Sequence, residues 1–249
     1  MSIQMWITQH PSVVFASVRL RRRDYGGVAS VYGSCYIMDM ALRKQSFAVD
    51  EYYHLYNRGT EKRKIFLEKR DYEHFLFLMY VCNTTKSIEL RNIGKTFDRE
   101  ETIIDIGAYC LMPNHFHVLV REKVKNGISK YMLKLMTGYS MYFNKKYKRT
   151  GKLYEGVFKS IHANKDTYLK YLYSYIHLNP AKLIDKNWKE NKHRNIKNLL
   201  KYVFSYKYSS LKEYISLKFK IVNPIPFPTY FKRPNGHKEE LFEWLSLGE

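Results

Sequence analysis

Cysteine is scarce in this sequence. Cys35, Cys82 and Cys110 are the three present, and no two of them share the short spacing of a zinc ribbon. That excludes a cysteine-built metal module and points to a reducing cytoplasm. No apolar run is long enough to span a bilayer, so no membrane partner is expected. The N-terminal region carries a charged cluster from Arg19 to Asp24 and lacks the basic-then-apolar order of a secretion signal. No internal repeat is visible. Acidic residues are also few: 23 Asp and Glu stand against 43 Lys and Arg, which leaves a net charge of +20 over 249 residues.

What is abundant is positive charge interleaved with rings, including 23 Tyr and 14 Phe. Cationic side chains neutralise phosphates and aromatic faces stack on unpaired bases, so the combination suits nucleic acid. Composition alone fits equally a basic protein with no dedicated partner.

Residues 1–39 have little periodicity and contain the basic cluster Leu20-Arg21-Arg22-Arg23. They read as a disordered leader or an upstream start choice, or else as a basic arm on DNA. From about residue 40 the pattern becomes regular. Tyr52 to Asn57 reads as a strand, and Lys69 to Val81 as an apolar-rich helix with Asp71 near its start. Asn83 to Glu101 reads as a loop. Ile103 to Leu111 alternates as a strand, Pro113-Asn114 makes a turn, and His115 to Val120 returns as a second strand. Gly127 to Tyr147 is amphipathic, with Tyr131, Leu135, Tyr139, Tyr142 and Phe143 at helical steps. Lys152 to Ser160 reads as a strand and Asp166 to Asn179 as a helix closed by Pro180. Lys182 to Lys220 is basic and helical in parts. Asn223 to Pro228 reads as an extended linker, and Leu241 to Leu247 as a short helix. The order is strand, helix, strand, strand, helix, strand, helix. It predicts an α+β fold: a ferredoxin-like antiparallel sheet with packed helices, plus a C-terminal basic helical extension.

The chemistry centres on His115 and His117. Two apart on a strand, they share a face while Phe116 points the other way. Two imidazoles side by side suit one divalent cation, although a bare His-x-His also fits two unrelated histidines. A metal needs at least a third ligand. On the later helix Tyr171, Tyr175 and Asn179 are four apart and share a face. Asn179 is a candidate ligand and Tyr175 a candidate nucleophile, but spacing leaves Tyr171 and Tyr173 open, the latter paired with His177.

Pro113-Asn114-His115-Phe116-His117-Val118 resembles the His-hydrophobic-His motif of the HUH single-strand nucleases. Asn57-Arg58-Gly59, Tyr175-Ile176-His177-Leu178-Asn179-Pro180 and Tyr206-Lys207-Tyr208-Ser209-Ser210 follow the order seen in REP-associated tyrosine transposases, within the single-tyrosine insertion-sequence superfamily. The similarity covers roughly Tyr52 to Tyr214. It implies that His115, His117 and Asn179 hold Mg²⁺ or Mn²⁺ and that Tyr175 attacks DNA. It further implies cleavage and rejoining of single-stranded DNA at hairpin-forming palindromes, through a 5′-phosphotyrosine and a free 3′-OH. Relatives act as homodimers or alone, and both states stay open.

On this reading residues 40–184 form the transposase domain and residues 185–249 a basic extension. Lys145, Lys146, Lys148 and Arg149, with Arg58, are the candidate DNA contacts; a solvated helix end accounts for the first four equally well. Two rival functions remain. One is a hairpin-binding protein, on DNA or RNA, that keeps the scaffold without cleaving. The other is a zinc hydrolase built on His115, His117 and His54.

Overall fold

The computed structural model describes residues 46–88, 93, 97–190, 195–230 and 236–247. The leader expected over residues 1–39 lies outside the described residues. Strand β1 (Tyr52–Arg58) leads to helix α1 (Lys69–Val81), then to strands β2 (Ile104–Met112) and β3 (His115–Glu122). Helix α2 (Gly127–Lys146), strand β4 (Lys159–His162) and helix α3 (Asp166–Leu178) follow. The chain ends in α4 (Ile196–Ser205), α5 (Leu211–Ser216) and α6 (Gly236–Leu247). The sheet order is β2-β3-β1-β4 with every pairing antiparallel, which is the ferredoxin-like plan that the element order predicts.

One expected strand is mostly absent. Of Lys152 to Ser160, only Lys159 and Ser160 join the ladder, within β4. Upstream, Tyr154 makes an isolated bridge to Gly59. The Asn57 side-chain amide donates to the Gly156 carbonyl at 3.0 Å, which draws the chain out of the ladder there.

Alternation along the strands gives the sheet two covered faces. Leu55, Phe116, Val118 and Val120 point to one side and pack under α1 and α2, against Phe75, Leu78, Tyr131 and Tyr139. Ala108, Cys110, Met112 and Leu119 point to the other side and meet Leu169, Leu172, Tyr173 and Ile176 of α3. Apolar burial on this second face is the main force holding α3 to the sheet. His115 and His117, in phase with Leu119, therefore face α3.

The C-terminal part of the chain lies along β2. The Leu111 N–H donates to the Tyr208 carbonyl, and the Ser210 N–H to the Tyr109 carbonyl. The hydroxyls of Tyr206 and Tyr214 donate to the carbonyls of Leu111 and Gly107, each at 2.6 Å. The Asn223 N–H donates to the Ile106 carbonyl. The β2–β3 register shifts between Ile106 and Ala108. At the intervening Gly107 a Cβ would stand 2.6 Å from Phe227 and 2.8 Å from the Tyr173 hydroxyl, so the close approach of these rings requires glycine.

A buried carboxylate ties α1 to α2. Asp71 accepts the backbone N–H groups of Leu67 and Glu68, which caps α1. It also accepts the hydroxyls of Tyr142 and Tyr147 and the ammonium of Lys146. Burial alone would raise its pKa, but the hydrogen bonds from Lys146, Tyr147 and the backbone bring it below the usual 3.8. Asp71→Ala should therefore lower unfolding stability by about 3 kcal/mol, the scale of breaking a buried pair. A depressed carboxylate stabilises above its unfolded pKa and loses that contribution as pH falls through its folded value. Denaturant titrations should show the full difference between the two proteins near neutrality, closing below pH 3.8. A difference independent of pH would sink this account.

Candidate functional site

β1 and β3 align the site. Arg58 stands opposite His115 and Tyr56 opposite His117, so His54, Tyr56, His115 and His117 share the face toward α3. His117 is 7% exposed and His54 4%. His54 Nε2 meets His117 Nδ1 at 2.9 Å, with the rings stacked at 5.0 Å. The His115 ring stands edge-on to His117, its Nδ1 held 2.6 Å from Asn114 Oδ1.

Helix α3 starts after Lys165, whose extended backbone precedes the first turn, and Asp166 in that turn favours the dipole. Its Leu169, Leu172, Tyr173 and Ile176 stripe is buried. Tyr175 sits beside that stripe, its ring edge-on to His117 at 5.4 Å and to His54 at 6.0 Å. Tyr171 stacks on Tyr175, meets Trp244 at a tilt, and does not take its place against the histidines. Tyr173 is 3% exposed within the core beneath α3, and His177 meets the Ser210 hydroxyl at 2.8 Å. After Leu178 the helix tightens to a 3-10 turn, Asn179–Leu183, with Pro180 near its start. Asn179 is 1% exposed. Its amide nitrogen donates to the Tyr175 carbonyl at 2.8 Å, and its Oδ1 is buried with no hydrogen-bond partner.

Burial holds the three imidazoles neutral. His54 is pushed down to about 4 by desolvation. His115 falls to about 4 by desolvation, with Lys182 and Arg58 adding to it. His117 goes well below its usual 6.5 for the same first reason, reinforced by His54, His115 and Lys182. A neutral imidazole keeps a lone pair, the form that binds metal at neutral pH. Burial also raises the Tyr175 phenol above 10, opposed by a hydrogen bond from the Asn179 side chain.

Among the described residues, no three His, Cys, Asp or Glu side chains group so as to hold one metal ion. A site here needs another donor type. The Asn179 Oδ1, a buried acceptor without a partner, is that donor chemistry, so the residues fit a hard divalent cation held by imidazole and amide oxygen.

The expected DNA contacts divide. Lys145 and Lys148 are exposed. Lys146 turns inward to Asp71 and Glu68 and is held there, so its charge serves the α1–α2 junction. The Arg149 guanidinium lies over the Phe143 ring and donates to Asn144. All four are at or just beyond the C-terminal end of α2, whose core lies across the sheet from His115 and His117. Arg58 pairs with Glu155 through two hydrogen bonds.

Sequence reasoning missed two cations. Lys182 and Lys189 place their ammonium groups 5.5 and 6.0 Å from the Tyr175 ring centre. Lys182 continues the helical face of Tyr171, Tyr175 and Asn179 by a further three residues, a signal available in the spacing. No comparable signal exists for Lys189, which follows irregular chain.

The family model described as IS200-like transposase matches residues 48–179. No curated protein matches the chain. Among solved structures, a REP-associated tyrosine transposase bound to a REP hairpin is similar at 10% identity, with a TM-score of 0.45. The likeness covers 75% of this chain and 90% of that one.

Proposed function

The chain belongs to the IS200-like transposases, and from that membership we propose that it cleaves and rejoins single-stranded DNA at hairpin sites, as a REP-associated tyrosine transposase. The observation that carries this reading is the Tyr175 ring set against His117 with Asn179, one turn on, presenting a buried acceptor. Tyr175 is the nucleophile. Its oxygen bonds to the scissile phosphorus, the bond from phosphorus to the 3′ oxygen breaks, and the 5′ phosphate stays on the tyrosine. The proton lost by the phenol balances the one gained by the departing 3′ oxygen. Rejoining reverses the step with an incoming 3′-OH.

His115, His117 and Asn179 would hold Mg²⁺ or Mn²⁺. When bound, the cation supplies charge stabilisation at the phosphate. Lys182 and Lys189 add positive charge beside the tyrosine, which favours the phenolate and draws in the DNA backbone. Residues 40–184 act in this reading as the transposase domain, and residues 185–249 as a basic extension that braces it. A zinc hydrolase using His54 as a third ligand is disfavoured, because the His54 Nε2 faces the His117 Nδ1.

The test is incubation of the chain with single-stranded hairpin DNA and Mg²⁺, followed by denaturing electrophoresis. A denaturation-resistant protein–DNA adduct is expected; nicking without an adduct would favour the hydrolase, and binding without nicking a non-cleaving binder. Hairpin affinity should also fall by roughly 10³-fold between about 50 and 200 mM salt, as counterions are released. An affinity indifferent to salt would remove the net charge from the account.

A further inference from the structure

We propose that His54 is a positioning residue that sets the tautomer of His117. The inference rests on the reading of His117 as a metal ligand. A neutral imidazole carries one N–H and one lone pair. For His117 to offer its Nε2 lone pair, its proton must sit on Nδ1. That Nδ1 is 2.9 Å from His54 Nε2, inside the protein and away from water. Only one pairing of tautomers suits both the hydrogen bond and a ligand role. His117 Nδ1–H donates, His54 Nε2 accepts, and His117 Nε2 is left open. The opposite pairing puts a proton on His117 Nε2 and blocks it.

No competing group holds His54 in the opposite tautomer. Its other nitrogen, Nδ1, is buried without a hydrogen-bond partner, so no other group dictates where its proton resides. The ring is wedged between Tyr56 at 5.2 Å and Tyr175 at 6.0 Å, which limits its rotation. His54 is thus the outer partner that orients a ligand ring, a role that carboxylates and carbonyls fill in other metal sites. No carboxylate does so here: His115 uses Asn114 and His117 uses His54.

Three full-length proteins test this: the parent chain, His54→Leu, which removes the acceptor, and His54→Gln, whose amide oxygen restores one. Mn²⁺ affinity is read by electron paramagnetic resonance without DNA, and hairpin affinity is read separately in a chelator. His54→Leu should weaken Mn²⁺ binding by roughly 10- to 100-fold with hairpin affinity unchanged. His54→Gln should recover most of the loss. Pulsed resonance on bound Mn²⁺ should count two coordinated imidazoles in the parent chain and two in His54→Gln.

Equal Mn²⁺ affinity in the parent and His54→Leu overturns the positioning role. So does a count of three imidazoles in the parent that drops to two in His54→Gln, which would make His54 a ligand. If the parent binds no Mn²⁺, the metal reading of the site fails first and the inference falls with it. If His54→Leu does not fold, His54→Phe, which also lacks the acceptor, takes its place, and a Mn²⁺ affinity equal to the parent's overturns the role.

Discussion

Tyr175→Phe is expected to bind hairpin DNA and Mn²⁺ as the parent chain does, and to form no covalent adduct. The substitution deletes one oxygen. The ring keeps its edge against His117 and its stack on Tyr171. The Asn179 amide loses its interaction with the phenol but stays anchored by its 2.8 Å hydrogen bond to the Tyr175 backbone carbonyl, which the variant retains. What disappears is the oxygen proposed to bond to phosphorus. Cleavage should fall by roughly 10⁴-fold or more, the scale of losing an enzymatic nucleophile. Tyr171→Phe and Tyr173→Phe should stay active, the first because its ring lies one turn away and the second because it is enclosed in the core. Mass spectrometry of the parent adduct gives the direct check. A nucleotide attached to Tyr171 or Tyr173 would overturn the assignment along α3.

The second large effect belongs to His117. His117→Ala removes one of two imidazoles proposed to hold the cation and leaves His54 Nε2 without its partner inside the protein. The orphaned nitrogen and the cavity together cost about 1–3 kcal/mol, which a fold with two covered sheet faces withstands. Cleavage should drop by roughly 10³-fold or more while hairpin affinity largely survives, because the proposed contacts to the DNA backbone come from basic side chains and not from this imidazole. His115→Ala should behave alike. Asn179→Ala should fall between, with activity partly regained at high Mn²⁺, since a missing ligand weakens the site but leaves the attacking group. Full cleavage by both histidine variants would remove the metal assignment from β3.

The elements that sequence made legible are those with strong local pattern. The alternation around Pro113-Asn114 located the β2–β3 hairpin and put His115 and His117 on one face. Helical spacing located α1, α2 and α3 to within a residue or so at each end. Helical spacing did not choose among Tyr171, Tyr173 and Tyr175; the resemblance pointed to Tyr175, and the packing of α3 on the sheet buries Tyr173 and brings Tyr175 against the histidines. Lys146 read as a surface cation because its partner Asp71 lies far away in sequence, on another helix. His54 and His117 meet only once β1 pairs with β3 in one register. The stretch from Lys152 failed as a strand because a side-chain hydrogen bond from Asn57, not its own alternation, decides its path.

β2 is an outer strand, and a strand in that position normally presents a row of unpaired amides and carbonyls that another chain can adopt as its own ladder. Here the groups of Ile106, Gly107, Tyr109 and Leu111 are already taken by the chain's own Tyr206, Tyr208, Ser210, Tyr214 and Asn223. The sheet is sealed on that side by its own C-terminal sequence. Among the described residues that margin is occupied, which leaves the short β4 margin and side-chain surfaces for contact with a second molecule. A truncation that removed the sealing segment would bare an apolar strand and turn a self-contained sheet into a nucleus for aggregation.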